Sequence, residues 1–389
     1  MNRPEGQHPG RIYFDNAATT PVHPEVIRVM SEALAGNFGN PSSIHAEGRA
    51  ARAAIEQARK TVARCLNASV GEIFFTSGGT ESNNMALKCA VRDLGVRRII
   101  SSPLEHHCVL HSLESLEKYQ QIRVDRLQPD ALGRFDTGQL RALLAADSAP
   151  TLVSLMYANN EIGTMIDLDE VAEICAEAGA WFHSDTVQTI GYFPIDLAKT
   201  RVSFLSGSAH KFHGPKGVGF VYISGDNQIR PFIDGGSQER NMRAGTENLP
   251  SILGMAKALE LAYAEMDARR DAILDIRDYF LGELTDRFEG ISVNGDCENG
   301  HYKILSVEFP PSPKTDLLLF NLDIAGISVS GGSACSSGAD AGSHVIAGIK
   351  PDSPGKTVRF SFSHFNTRAE ADAVVEKLSE ILKAKKAVG

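Results

Sequence analysis

Short apolar runs alternate with amphipathic stretches along much of the chain, and this alternation predicts strands and helices in turn. Apolar residues recur at helical spacing over residues 47–66, for example, whereas residues 151–157 form one compact apolar run. Strand–helix–strand units of this kind predict an α/β fold with a mostly parallel sheet and helices on both faces. The pattern predicts strands at residues 98–102, 151–157, 181–185, 303–309 and 358–363, and helices at residues 24–34, 47–66, 80–88, 168–178, 249–287 and 368–385, with a further helix ending near residue 119.

The alternation changes beyond residue 260, where strands and helices no longer follow one another regularly. This change predicts a second, smaller α+β domain, with the boundary near the middle of the long helical stretch at residues 249–287. The expected division is a large domain at residues 14–260 and a small domain formed by residues 1–13 and 261–389. No internal repeat or low-complexity tract interrupts this arrangement.

Polar side chains follow several of the predicted strands at the point where each strand ends. In parallel sheets of this class, ligands bind at the carboxyl ends of the strands. We therefore expect these residues to meet at one edge of the sheet: Thr80, His106, Asn160, Asp185, Gln188 and Lys211.

A lysine lies in the turn between two apolar strands at residues 202–220, directly before a loop rich in glycine and proline. Lysine is the side chain that forms Schiff bases with carbonyl cofactors, above all pyridoxal phosphate. Lys211 is therefore a candidate for cofactor attachment, and Ser208 and His210 beside it can donate hydrogen bonds to a cofactor phosphate. On this segment alone, an ordinary lysine in a surface turn is equally compatible with the pattern.

A glycine turn at residues 77–79 follows an apolar strand end and opens a helix at Thr80. Such a turn presents free backbone N–H groups and the positive end of the helix dipole, which together bind anions. Gly79 and Thr80 are the candidates for a phosphate cradle. A helix cap formed by Thr80 and Asn83 without any ligand is the alternative.

Composition narrows the class of protein. The 389 residues are 42% hydrophobic and 22% charged, as in an ordinary globular protein, and the net charge of −9 argues against a nucleic-acid or anionic-membrane partner. No apolar run approaches the roughly 20 residues of a membrane helix, and the N-terminus shows no signal-peptide pattern. The six cysteines form no CxxC pair and the histidines show no zinc spacing, so we expect a cytoplasmic protein without disulfides or a resident metal.

Several segments together resemble one family, the cysteine desulfurases of the NifS/IscS type, which are enzymes with the class V aminotransferase fold. The resemblance extends from about residue 12 to about residue 380, and it implies a fold type I transferase that uses pyridoxal 5'-phosphate. The segments are residues 13–20 (YFDNAATT), 75–84 (FTSGGTESNN), 159–163 (NNEIG), 208–211 (SAHK), 214–217 (GPKG), 243–246 (RAGT) and 330–337 (SGGSACSS).

The resemblance implies a role for each candidate residue. Lys211 would hold the cofactor covalently and later move the substrate proton, and Asp185 would pair with the ring nitrogen. Gln188 would bind the phenolic oxygen, and His106 would stack on the ring and act in proton transfer, although the adjacent His107 makes that choice depend on alignment. Asn160 would contact the cofactor or the substrate.

Other residues would bind the two charged ends of cofactor and substrate. The resemblance implies phosphate contacts from Gly79, Thr80, Ser208 and His210. Thr246 would reach the phosphate in the other subunit, which implies a homodimer with shared active sites. Arg359 would bind the substrate carboxylate, a bidentate task that suits arginine, whereas an exposed strand charge is the alternative.

Cys335 lies in a run of small residues at 330–338, which predicts a flexible loop. A thiolate on such a loop can attack a substrate sulfur and leave with it as a persulfide. The resemblance implies that L-cysteine becomes L-alanine and that the sulfur passes to an acceptor for iron–sulfur cluster or thio-cofactor assembly. The identity of the acceptor, and whether the Cys335 persulfide ligates iron transiently, stay open at this point.

Three alternatives stay open on the sequence. A selenocysteine lyase or a class V aminotransferase would share Lys211, Asp185 and the phosphate residues, but an aminotransferase has no need of Cys335. A non-catalytic partner in sulfur or cluster assembly could keep the fold, although the joint presence of Lys211, Asp185 and Cys335 argues against that role.

Overall fold

The computed structural model describes residues 10–331 and 342–382. The strands are β1 (Ile12–Tyr13), β2 (Ile73–Thr76), β3 (Arg98–Ser101), β4 (Arg123–Arg126), β5 (Thr151–Ser154), β6 (Trp181–Asp185), β7 (Phe204–Ser208), β8 (Gly219–Ile223), β9 (Ser292–Asn294), β10 (Ile304–Phe309), β11 (Ile327–Ser328) and β12 (Lys356–Ser361). The helices are α1 (Pro24–Gly36), α2 (Ala46–Cys65), α3 (Gly79–Asp93), α4 (His107–Gln120), α5 (Thr137–Ala145), α6 (Leu168–Glu177), α7 (Gln238–Asn241), α8 (Leu249–Ala264), α9 (Met266–Arg287), α10 (Leu318–Ile324), α11 (His344–Ile349) and α12 (Arg368–Leu382).

The main sheet has seven strands in the spatial order β2-β8-β7-β6-β5-β3-β4. The contacts of β7 with β6, of β6 with β5, and of β3 with both β5 and β4 are parallel, whereas β8 runs antiparallel to β7 and β2. Every residue of β2, β3, β5, β7 and β8 is buried, as expected for a sheet covered on both faces. The predicted α/β fold with a mostly parallel sheet is therefore confirmed.

A second sheet of three antiparallel strands, in the order β12-β10-β9, forms in the C-terminal part of the chain. The N-terminal strand β1 joins this part by pairing with β11. Phe14 continues the link, because its ring packs edge to face on Phe280 of α9 and Phe362 beyond β12, at centroid distances of 5.7 and 5.0 Å. The segment that follows Phe14 is thereby held between the two sheets.

The long helical stretch predicted at residues 249–287 divides at Glu265 into α8 and α9. Helix α8 packs on α1 and α2, whereas α9 packs on α12. The two helices thus serve different parts of the fold, and the proposed domain division near residue 260 remains a proposal.

The pattern missed the elements with short or weakly apolar sequences. Strand β4 has only one buried residue, Val124, and helix α5 has only Leu140 buried. Elements that bury so little have no strong period in their apolar residues. Helix α3, in contrast, is longer than predicted, since it begins at Gly79 and continues to Asp93.

Candidate active site

A cavity of about 240 Å³ lies at the carboxyl ends of the central strands and extends to β12 of the second sheet. The sequence predicted this meeting of strand ends, and ten of the candidate residues line the cavity together: Gly79, Thr80, His106, Asn160, Asp185, Gln188, Ser208, His210, Lys211 and Arg359. His106 lines it, whereas the ring of His107 packs on His344, at a centroid distance of 4.5 Å. The geometry thus favours His106 over its neighbour.

The turn between β2 and α3 forms an anion cradle at one end of the cavity. Gly78 has φ of +148°, which favours glycine, and it is the N-cap of α3 without a side-chain cap. A Cβ on Gly79 would come within 2.5 Å of Val187 Cγ2, so the backbone can approach the cavity only without a side chain there. The cap proposed as the alternative for Thr80 is not formed, and the first N–H groups of α3 remain available for an anion.

Lys211 ends a short 3-10 turn directly after β7. Its Nζ donates hydrogen bonds to the carbonyl oxygens of Ala17 and Ala18 at 2.6 and 2.8 Å. Its own carbonyl accepts a hydrogen bond from the Tyr192 hydroxyl at 2.8 Å. Tyr192 therefore holds the backbone of the lysine, and the segment after Phe14 holds its amine in the cavity wall.

Asp185 is the last residue of β6 and is only 6% exposed. Its Oδ2 accepts a hydrogen bond from Asn83 Nδ2 at 2.6 Å, and its Oδ1 accepts one from the Val187 backbone N–H at 3.0 Å. Both carboxylate oxygens therefore accept hydrogen bonds from N–H donors. A buried carboxylate fixed at this position suits a protonated ring nitrogen.

Gln188 follows Asp185 in the same loop and is 4% exposed. Its Nε2 donates to the Ala17 carbonyl at 3.0 Å, while its Oε1 is buried and has no hydrogen-bond partner among the described residues. An unpaired buried amide oxygen costs free energy, and the cost is removed when a ligand supplies a partner.

His106 caps α4, since its Nδ1 accepts a hydrogen bond from the Cys108 backbone N–H at 3.2 Å. The ring proton therefore lies on Nε2, and burial lowers the pKa of His106, so the ring is a neutral donor. The Cys108 thiol lies 3.0 Å from the same Nδ1 and also lines the cavity. The sequence motifs do not identify Cys108 as a site residue, and burial raises the pKa of its thiol to about 12, so it is not a thiolate at neutral pH.

Arg359 on β12 reaches the cavity from the second sheet and is 1% exposed. Its guanidinium donates to Asp15 Oδ1 and to the Asn160 carbonyl, both at 2.8 Å, while its buried Nε has no partner in residues 10–331 and 342–382. The exposed strand charge considered as the alternative is therefore wrong. A fixed, desolvated guanidinium with an unused N–H is suited to a carboxylate.

Thr246 lies outside this cavity. It is exposed and lines a separate, smaller cavity together with Arg243 and Glu239. One ion pair ties the segment around Thr246 to the first turn of α3 at the anion cradle, and a second ties it to α2. Arg243 Nε contacts Glu81 Oε1 at 2.8 Å, and Arg59 Nη1 contacts Glu239 Oε2 at 2.6 Å.

The Arg59–Glu239 pair predicts a large stability effect. Both side chains are almost fully buried, and Glu239 Oε2 also accepts the Phe75 N–H at 2.8 Å. Arg59→Met leaves the Glu239 charge buried without its partner, so we expect the free energy of unfolding to fall by about 3–5 kcal/mol in urea denaturation. Arg64→Met on the same helix, which breaks an exposed ion pair with Glu260, is expected to cost about 1 kcal/mol or less. Equal losses for the two variants would contradict this prediction.

Cys335 lies outside the described residues. The residues on either side of that segment contact the cavity lining: Ser330 and Arg359 exchange backbone hydrogen bonds of 2.7 and 3.3 Å, and the Ser343 hydroxyl donates to Glu161, next to Asn160. Cys335 follows Ser330 by five positions in the sequence, which sets a reach of at most about 18 Å.

The donor set of the cavity fits pyridoxal phosphate. The cradle at Gly79 offers N–H groups for a phosphate, and Lys211 offers the amine. Asp185 offers a carboxylate for the ring nitrogen, and the amide of Gln188 has an oxygen, Oε1, without a partner among the described residues. Each charged or polar part of the cofactor thus has a side chain of matching chemistry in one cavity.

The chain is similar to known proteins of one family. Residues 12–374 match the family model described as aminotransferase class-V. The chain is 42% identical to a "Cysteine desulfurase IscS" of Dictyoglomus turgidum over 95% of this chain and 94% of the relative, and 42% identical to one of Methanosarcina thermophila over 95% and 92%. A solved structure titled "NIFS-LIKE PROTEIN" is similar, with a TM-score of 0.88 and 37% identity over 96% of this chain and 99% of the other.

Proposed function

This chain belongs to the class V aminotransferase family, and within it to the cysteine desulfurases of the NifS/IscS type, and we therefore propose that it converts L-cysteine to L-alanine and transfers the sulfur as a persulfide on Cys335. The observation that supports this most directly is the single cavity in which Lys211, Asp185 and Arg359 meet. Ser330 and Ser343, on either side of the segment that contains Cys335, bind cavity residues or their neighbours.

The proposed cofactor is pyridoxal phosphate, which when bound supplies an electron sink for negative charge at the substrate carbon next to the amine. Gly79, Thr80, Ser208 and His210 would hold its phosphate. Asp185 would hold its ring nitrogen in the protonated form, and Lys211 Nζ would attach it covalently. His106 lines this site and would offer its Nε2–H as a neutral donor, since its Nδ1 accepts the capping hydrogen bond of α4.

The substrate carboxylate would bind Arg359. The Asp15 carboxylate and the Asn160 carbonyl fix the plane of the guanidinium, and its buried Nε–H has no partner among the described residues. The substrate carbon atoms would then lie near Lys211 Nζ, which would take the proton from the carbon next to the amine.

In the sulfur transfer step, the Cys335 thiolate attacks the substrate sulfur. A new S–S bond forms, the C–S bond of the substrate breaks, and its electron pair stays with the carbon, which then takes up a proton. The sum is L-cysteine plus the Cys335 thiol giving L-alanine plus the Cys335 persulfide, so that no external oxidant or reductant is needed. An acceptor thiol or an iron–sulfur scaffold protein would then take the outer sulfur.

Arg359→Lys tests the substrate assignment. Lysine keeps the charge but not the planar fork, so we expect the KM for L-cysteine to rise about tenfold to a hundredfold, as for the loss of one charged hydrogen bond of roughly 1.5–3 kcal/mol. Steady-state kinetics with L-cysteine measure this change. Arg287→Lys, in an exposed ion pair of α9, serves as control and should leave KM unchanged. An unchanged KM in Arg359→Lys would remove the residue from the substrate site.

A homodimer with shared sites is part of the proposal, because Thr246 is exposed and lies outside the cavity of its own subunit. Thr246→Val should weaken cofactor binding about tenfold to a hundredfold through the lost phosphate contact. The decisive sample is a heterodimer of one Thr246→Val subunit and one Lys211→Ala subunit. If Thr246 acts across the interface, one site of the heterodimer has both residues intact and regains full activity. No gain over the two parent variants, or a fully active monomer, would contradict the shared site.

No helix within residues 10–331 and 342–382 is long and apolar enough to cross a membrane. The five cysteines at positions 65, 89, 108, 175 and 297 are all free. Free thiols accord with a reducing compartment, so a cytoplasmic location belongs to the proposal.

Product analysis tests the function. The cofactor-loaded protein is incubated with L-cysteine and a reductant, and alanine and sulfide are quantified. Equimolar alanine and sulfide support the proposal. Release of elemental selenium or selenide from selenocysteine without turnover of cysteine would indicate the selenocysteine lyase, and keto-acid formation with a second amino acid would indicate the aminotransferase.

A further inference from the structure

Four buried polar side chains form a continuous hydrogen-bonded relay that ends at Asp185. Ser154 Oγ lies 2.9 Å from His183 Nδ1, His183 Nε2 lies 3.1 Å from Asn83 Oδ1, and Asn83 Nδ2 lies 2.6 Å from Asp185 Oδ2. Ser154, His183 and Asn83 are fully buried. The relay links three elements, since Ser154 is on β5, His183 and Asp185 are on β6, and Asn83 is on α3.

The carboxylate of Asp185, at one end of the relay, determines which group donates and which accepts in every hydrogen bond of the relay. An ionised carboxylate only accepts hydrogen bonds, so the N–H side of the Asn83 amide must face Asp185. Asn83 Oδ1 then faces His183, which must donate from Nε2. His183 Nδ1 is consequently unprotonated and accepts the hydroxyl hydrogen of Ser154. Burial lowers the pKa of His183 to about 4, so the ring is neutral, as this arrangement requires.

Both ends of the Asn83 amide are fully used. Besides Asp185, Nδ2 also donates to Cys108 Sγ at 3.2 Å. If the amide turned over, its oxygen would face the Asp185 carboxylate and its N–H groups would face the Nε2–H of His183. Two repulsive contacts would replace two hydrogen bonds among fully buried side chains, where unsatisfied polar groups are costly. The Asp185 carboxylate therefore sets the orientation of the amide, and the Nε2–H of His183 matches that orientation at the other end.

We infer that Asn83 and His183 are positioning residues for the proposed reaction, holding Asp185 as a fixed hydrogen-bond acceptor for a protonated ring nitrogen. The inference rests on the proposed function, because it assigns a purpose to the Asp185 carboxylate that the cofactor would use. The residues act through Asp185: Asn83 donates to Oδ2, and His183 holds the other end of the Asn83 amide by donating to its Oδ1. With Val187 N–H on Oδ1, two donors set the plane of the carboxylate.

The first test measures the unaltered relay in the protein without cofactor. In nitrogen-15 spectra of labelled histidine rings, we expect His183 to be neutral at pH 7 with its proton on Nε2. The signal is assigned by its loss in His183→Gln. A proton on Nδ1, or a cationic ring, would reverse the direction of the relay and overturn the inference.

The second test measures the protonation of the cofactor itself, using pyridoxal phosphate labelled with nitrogen-15 in the ring. Asn83→Leu should shift the ring-nitrogen signal toward the unprotonated form. It should also raise the cofactor dissociation constant about 10- to 100-fold, the range found for outer hydrogen-bond partners of metal ligands. His183→Gln, whose side-chain N–H groups can still donate to Asn83, should give a smaller change in both. An unshifted ring-nitrogen signal in Asn83→Leu, with only a loss of stability, would show a merely structural role and overturn the inference.

The variant Asp185→Asn separates a failure of the relay inference from a failure of the proposed role of Asp185. If Asp185→Asn shifts the ring-nitrogen signal and Asn83→Leu does not, the relay inference fails and the role of Asp185 stands. If Asp185→Asn itself leaves the signal unshifted, the proposed role of Asp185 fails, and the inference fails with it.

Discussion

Lys211→Ala is expected to abolish the visible absorbance band of the lysine-bound cofactor and to lower turnover of L-cysteine by about a hundredfold to ten-thousandfold, the range of a lost catalytic acid–base group. Lys211 Nζ is held in the cavity wall by the carbonyls of Ala17 and Ala18, at the place where covalent attachment is needed. Alanine removes the lysine donor from both carbonyls, of which Ala17 keeps only its hydrogen bond from Gln188 Nε2, and leaves no amine at this position. Absorbance spectra and L-cysteine kinetics measure the two effects.

The matched control for this variant is Lys216→Ala. Lys216 is exposed in the adjacent glycine-rich loop and does not line the cavity, so the absorbance band and the turnover should stay as in the unaltered protein. Borohydride reduction followed by peptide mapping should place the cofactor on Lys211. An unchanged absorbance band in Lys211→Ala would refute the cofactor assignment.

Cys335→Ala is expected to eliminate the formation of sulfide and alanine while the cofactor band remains. L-Cysteine should still perturb that band, because Arg359 and Lys211 are intact. The physical reason is that no other thiol identified near the site can replace Cys335. Cys108 lines the cavity, but its pKa is raised to about 12 by burial, and its sulfur is occupied by contacts with His106 and Asn83.

Two further variants make the Cys335 result specific. Cys297→Ala changes a half-buried thiol of the C-terminal part and should leave activity unchanged. Cys108→Ala should retain persulfide formation on Cys335. Any effect should be a weaker binding of the cofactor, because Cys108 contacts His106 and Asn83. If Cys335→Ala kept its activity and Cys108→Ala lost it, the nucleophile would be Cys108 and the proposed role of Cys335 would be wrong.

The residues that meet in the cavity could be predicted because the rule behind them is general. Thr80, Asp185 and Lys211 each follow a strand of the same sheet, and the carboxyl ends of parallel strands meet at one edge. Gly79 could be predicted as well, since a glycine turn before a helix is an anion site by its backbone alone. The position of Arg359 could not be predicted in this way, because it depends on the arrangement of the second sheet, which the apolar pattern did not define.

The hydrogen-bonded partners of these residues could not be predicted in the same way. Asn83 and Asp185 are 102 positions apart, and Arg59 and Glu239 are 180 apart, so no local pattern relates them. One local signal for these partners was available, namely the two-residue repeat in the direction of side chains along a strand. His183 and Asp185 are two positions apart on β6 and therefore face the same side of the sheet, which could have identified His183 as a neighbour of the site.

Passage of the sulfur through Cys335 is the step on which the proposed function depends, and mass spectrometry after a single turnover measures it. Cofactor-loaded protein reacts with L-cysteine without reductant, and the peptides that contain Cys335 and Cys108 are weighed while alanine is counted. We expect one added sulfur atom on the Cys335 peptide and one alanine for each subunit. Alanine release with the added sulfur on Cys108, or with no sulfur on any cysteine, would contradict the proposed transfer.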